Sequence, residues 1–148
     1  MPVEDREARS RAMAKIHAKD TAIELLVRKR LFHLGFRYKV NDKSLPGKPD
    51  IVFPKYRAVI FVHGCFWHAH DCSLFRLPKT NRNFWKNKIA SNRLRDRRVM
   101  DALRDQNWRV AVIWECAIRG MSEEHLVEVM EKTAFWLTSN EDSLEIRR

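Results

Sequence analysis

The chain has 148 residues, 29 of them Lys or Arg against 19 Asp or Glu, for a formal net charge of +10. That length is one domain with one core, and a hydrophobic fraction of 45% excludes a disordered basic tail, which could not bury enough surface to offset chain entropy. No apolar run approaches the ~18 residues of a membrane helix. The N-terminal MPVEDREARSR carries no export signal, and an odd count of three cysteines points to reduced thiols in a cytosolic setting. A folded domain this basic favours a polyanionic partner, nucleic acid before an anionic membrane surface.

In chain order, the segment from Arg6 to Lys19 is charged and Ala-rich, with only Met13 and Ile16 as large apolar groups. It reads as a basic arm (residues 1–19) that orders on a partner. Thr21-Ala-Ile-Glu24 has capping-box form, and Ile23, Leu26, Val27, Leu31 and Leu34 recur at near-helical spacing before Gly35. Phe36–Val40 alternates like a strand, NDKSLPGKP supplies a turn, and Asp50–Phe53 and Ala58–Val62 read as buried strands. Residues 63–78 show neither period and are crowded with side chains that bind metals or stack on bases. A long basic segment from Thr80 or Asn81 to about Asp105 predicts a helix, with Phe84, Trp85, Ile89, Leu94, Val99 and Leu103 as its buried side. Trp108–Trp114 predicts a further strand, and Ser122 to about Leu137 a last helix buried through Leu126, Val127, Met130 and Phe135. The order α, β, β, β, α, β, α gives a single α/β domain, a mixed central sheet flanked by helices.

Cys65, His70 and Cys72 form a C-x4-H-x-C cluster, and Cys116 follows the last strand. Thiolate and imidazole donors suit a closed, four-coordinate structural Zn2+. Zinc would fix an irregular loop that has no core of its own, whereas free cysteines are otherwise ordinary buried small residues. On the residues alone, His63 or His68 could replace Cys116 as the fourth ligand.

Asp50 follows Pro49 and opens a strand, where a carboxylate can hold a hard cation such as Mg2+, although Asp after Gly-Lys-Pro is also ordinary turn chemistry. The element order matches the restriction-endonuclease-like core, whose signature is Pro-Asp followed by an acidic-x-Lys triplet on the next strand. Only the first half is present, since the next strand ends Phe61-Val62-His63.

The run Phe61-Val-His-Gly-Cys-Phe-Trp-His68, with LPGKPD before it and FW at 84–85 and WECA at 114–117 after it, resembles the very-short-patch repair (Vsr) endonucleases, from about Arg9 to Gly120. These are bacterial enzymes that nick DNA at T:G mismatches. The resemblance implies Asp50 as the Mg2+ ligand, with the backbone carbonyl of Val62 (Thr in some relatives) helping to bind the metal. It also implies His63 closing that strand, His68 as the catalytic histidine, Asp96 as the acid orienting it, and Glu24 as the acid of the first helix. The zinc ligands become Cys65, His70, Cys72 and Cys116. Phe66, Trp67 and Trp85 become rings that wedge into the duplex, and Met13 an apolar group inserted from the other groove. Ala69 stands where relatives often carry a further His.

These residue types suit phosphodiester hydrolysis. A histidine titrating near ~6.5 can take a proton from water at neutral pH, with a carboxylate holding its tautomer. From the residues alone, Glu24 is equally a helix cap, and Asp96 reads first as a surface partner of Arg93, Arg95, Arg97 and Arg98. Rings framed by Lys79, Arg82, Lys86 and Lys88 make a base-stacking platform, and a mismatch lowers the cost of unstacking. Trp108, Trp114 and Trp136 read as core or strand residues. The expected function is a Mg2+-dependent, zinc-stabilised, monomeric nuclease nicking 5′ to the T of a T:G mismatch left by deamination of 5-methylcytosine. That implies a cytosine-5 methyltransferase and mismatch-repair proteins in the same bacterial cytoplasm, near the nucleoid. The rivals are a related sequence-specific nicking or restriction nuclease and a catalytically silent zinc-bearing DNA-binding protein.

Overall fold

In the computed structural model, the residues described are 22–65, 68 and 76–148. The basic arm with Met13, together with Phe66, Trp67, Ala69, His70 and Cys72, lies outside them. The chain runs α1 (Ala22–His33), β1 (Lys39–Val40), β2 (Ile51–Phe53), β3 (Ala58–His63), α2 (Arg82–Asp105), β4 (Arg109–Trp114), α3 (Glu123–Leu137) and β5 (Ser143–Ile146). The five strands lie side by side in chain order. β1, β2 and β3 pair antiparallel, whereas β3, β4 and β5 are parallel, as strands joined by crossover helices must be.

Alternation along the strands divides the core in two. Ile51, Phe53, Ala58, Ile60, Ala111 and Ile113 meet Val27 and Leu31 of α1 and Leu126, Val129 and Met130 of α3. Val52, Val59, Phe61, Val110 and Val112 face the other way, onto Leu103, Val99 and Met100 of α2. A sheet buried on both faces explains why β3 and β4 read as continuous apolar runs. No helix among the described residues is long and apolar enough to cross a membrane.

The structure corrects several expectations. Only Lys39–Val40 of the 36–40 segment pairs as a strand; Phe36 and Tyr38 instead set their rings edge-on against Phe53. Leu34, Phe84, Leu94, Val127 and Phe135 are exposed, Phe135 by 70%. In α3 the buried stripe is Leu126, Val129, Met130, Thr133 and Trp136–Leu137, a run of three- and four-residue steps that Val127 and Phe135 fall between. β5, too short and polar to announce itself, adds a strand that alternation did not predict.

The turn before Asp50 is held from both sides. Ser44 donates to the Asp42 carboxylate (2.9 Å from N, 2.6 Å from Oγ). Gly47 has φ +73, and a Cβ there would lie 2.3 Å from Cγ1 of Val99. Only glycine permits both that backbone conformation and that approach to α2. The loop so clamped delivers Pro49-Asp50 to the sheet.

Candidate active site

The predicted catalytic residues gather at the C-terminal end of β3 in two corners. Asp50 enters β2 across from that end, and its Oδ2 accepts the Val62 backbone N–H at 2.7 Å, a side chain taking the place of a ladder bond. Glu24, in the first turn of α1, is 5% exposed; its carboxylate takes a 3.1 Å ion pair from Arg28 one turn on and comes within hydrogen-bonding reach of Asp50. Thr21, its partner in the capping box, lies outside the described residues.

Burial, and then the neighbouring Glu24 charge, push the Asp50 carboxyl up to about 7 against the pull of the Val62 N–H and of Arg28. Two acids packed together with one guanidinium are short of positive charge. Such a set of oxygen donors fits a hard divalent cation, which would relieve that repulsion.

The second corner is settled internally. His68 Nδ1 is bonded directly to Asp96 Oδ2. The His68 ring lies parallel to His63, centroids 3.9 Å apart and planes 6° apart. Asp96 is delivered by α2, on the stripe that runs through Ile89, Asn92, Val99, Met100 and Leu103. That phase was legible: an acid in step with inward apolar residues is poorly placed for the surrounding arginines. His63, Asp96 and His68 bring their ligand atoms within 4.8 Å of one another, a set that could hold a cation. The direct His68–Asp96 bond, however, is the arrangement of a base and the acid that orients it.

Trp114, given only a strand role above, closes this corner. It is the in-register neighbour of His63 across β3 and β4. Its ring stands at 75° to His63 (5.2 Å) and 77° to His68 (6.2 Å). The signal was parity: Trp114 continues the Val110, Val112 side of β4, as His63 continues Val59 and Phe61.

Of the predicted zinc ligands, Cys65 and Cys116 are described, and both are buried. The Cys65 N–H donates to Glu115 Oε1 at 3.1 Å, which seats the start of the 65–75 loop on the turn that carries Cys116. Two buried thiols on adjoining turns suit a soft-ligand Zn2+ site. Trp85 is half-buried on the first turns of α2, its ring edge-on to the exposed Phe84 at 5.1 Å and flanked by exposed Lys79, Arg82, Lys86 and Lys88.

An acidic pair beside a carboxylate-oriented histidine on a basic α/β fold suits phosphodiester hydrolysis. Chains similar to this one along most of its length carry the names of mismatch and nicking endonucleases, and the protein is a DNA endonuclease. It belongs to the Vsr family of DNA mismatch endonucleases, whose family model matches residues 1–74. The DNA mismatch endonuclease Vsr of Escherichia coli is 44% identical over 147 residues, 97% of this chain and 92% of that protein. The type II nicking enzyme V.XorIIP of Xanthomonas oryzae is 44% identical over 127 residues, 84% of this chain and 93% of its own length. V.NmeAIP of Neisseria meningitidis, of the same description, is 50% identical over 111 residues, 75% of this chain and 79% of its own. A catalytically silent DNA-binding protein is thereby set aside.

Proposed function

We propose that this endonuclease nicks one strand of duplex DNA 5′ to the T of a T:G mismatch, the lesion left when 5-methylcytosine deaminates. The observation that carries the proposal is the pairing, at the end of one strand, of the raised Asp50 carboxyl beside Glu24 with the Asp96-bonded His68. Asp50 and the Val62 carbonyl would hold Mg2+, with Glu24 next to them. When bound, the ion supplies Lewis acidity toward the scissile phosphate and shields its charge. His68 takes the proton of the attacking water: with Nδ1–H given to Asp96, the lone pair sits on Nε2. His63 stacks behind it and fixes the ring plane. Cys65, His70, Cys72 and Cys116 would hold a structural Zn2+ that ties the loop bearing His68 to the sheet.

Phe66, Trp67 and Trp85, with Met13 from the arm, would wedge into the mismatch, while the cations around Trp85 hold phosphates. The names of the nicking relatives favour a one-strand cut. A monomer suits an asymmetric lesion. The partners would be a cytosine-5 methyltransferase that creates the target and mismatch-repair proteins, in a bacterial cytoplasm close to the nucleoid.

The test is cleavage of end-labelled duplexes carrying each mismatch in varied contexts, with and without Mg2+. A single Mg2+-dependent product 5′ to the T of T:G is expected. Equal cutting of perfectly paired duplex would favour a sequence-specific nicking nuclease instead.

A further inference from the structure

β5 adds a contact to the histidine corner. Glu145, the third residue of this C-terminal strand, accepts a 2.9 Å hydrogen bond at Oε1 from the indole Nε1–H of Trp114. The same indole is the wall at 75° to His63 and 77° to His68. The parallel register carries the tie, pairing β4 to β5 through Val112↔Glu145 and Ile113↔Ile146 and so placing Glu145 beside Trp114. A continuous run of contacts therefore leads from Glu145 through Trp114 and the two stacked imidazoles to Asp96.

We propose that Glu145 and Trp114 are positioning residues for the nicking reaction. Glu145 sets the indole plane, and the indole confines His63 and His68 so that Nδ1 of His68 faces Asp96 and the opposite nitrogen faces the phosphate. An imidazole stacked on another imidazole is free to slide and rotate within the stacking plane, and a perpendicular wall removes that freedom. The energetic reason is that small displacements of a reacting group are costly in rate. The inference rests on His68 being the base.

Single-turnover nicking of a T:G duplex separates rate from affinity, and melting temperature checks folding. Glu145→Ala is expected to slow the saturated nicking rate about three- to ten-fold, the range for loss of one hydrogen bond, with half-saturating enzyme concentration unchanged within about two-fold. Glu145→Gln keeps the acceptor and should restore the rate. Trp114→Phe keeps a ring but no donor, so adding Glu145→Ala to it should cost nothing further. Long-range 1H–15N spectra of the His63 and His68 rings should move in Glu145→Ala and not in Glu145→Gln.

Parent rates and unmoved imidazole signals in Glu145→Ala would overturn the inference, as would additive losses in the double variant. His68→Ala distinguishes the two levels. If it nicks like the parent, His68 is not the base, and the ring spectra alone then decide whether Glu145 positions the pair.

Discussion

The two corners at the end of β3 are built on opposite electrostatic plans. At Asp50 and Glu24, like charges are buried together and one carboxyl is pushed up to about 7. At His68 and Asp96, a ring nitrogen and a carboxylate oxygen are hydrogen-bonded, and the His68 ring stacks on His63. The first corner sets one guanidinium, Arg28, against two carboxyls; the second is satisfied by the chain itself. A site divided this way keeps its histidine oriented by the chain's own carboxylate, while at the acidic corner a bound divalent cation would relieve the repulsion, which places the cost in the resting state.

The largest expected effect breaks the comparison through the fold. Cys116→Ala, or chelation of zinc, should release the loop that bears His68, because structural zinc contributes ~10–16 kcal/mol of apparent binding, comparable to a domain's whole stability. Melting temperature and metal content of the purified variant measure it. Parent-like values for both would remove Cys116 from the ligand set.

Next in size are the two corners taken singly. Asp50→Asn should cost nicking about 10³-fold or more and His68→Ala about 10²–10⁴-fold, both with mismatch affinity in gel shifts nearly intact. Parallel loss of affinity would make either residue structural.

The corners should part company in stability. The folded Asp50 keeps its proton to about 7, whereas the unfolded chain releases it near the ordinary 3.8. Over that window the folded state binds more protons, so metal-free stability falls as pH rises from about 4 to about 7 and levels above it, by up to ~4 kcal/mol. Asp50→Asn should flatten that slope and melt higher than the parent at pH 8; His68→Ala should not. Added Mg2+ should raise the parent's melting temperature more at pH 8 than at pH 5. Thermal melts across this range measure all three, and a parent slope of the opposite sign would mean that Asp50 is well compensated without metal.

The smallest effect leaves both corners alone. Trp67→Ala should lower T:G affinity toward that of paired DNA by ~1–3 kcal/mol while leaving the salt dependence of binding unchanged. Titrations at several salt concentrations on matched and mismatched duplexes separate the two terms.

Local pattern alone determined the strands expected at 50–53, 58–62 and 108–114, to within a residue at each start, the long helix ending near Asp105, and the delivery of Pro49-Asp50 by a Gly-containing turn, because each is encoded by neighbours a few residues apart. The HGCFWH run likewise pointed to the right family from a handful of contiguous residues. Tertiary structure decided the rest. Glu24 became the neighbour that perturbs Asp50, Asp96 left its arginines for a histidine 28 positions away, and Trp114 became a wall of the site held by a glutamate 31 positions on. The side chosen by Phe135 and Val127 depended on which stripe of α3 met the sheet, and β5 formed because β4 offered it an edge. The physical reason is common to all of these: a side chain's partner is set by packing between elements, and the energies that choose among partners come from burial and charge that exist only after the elements have met.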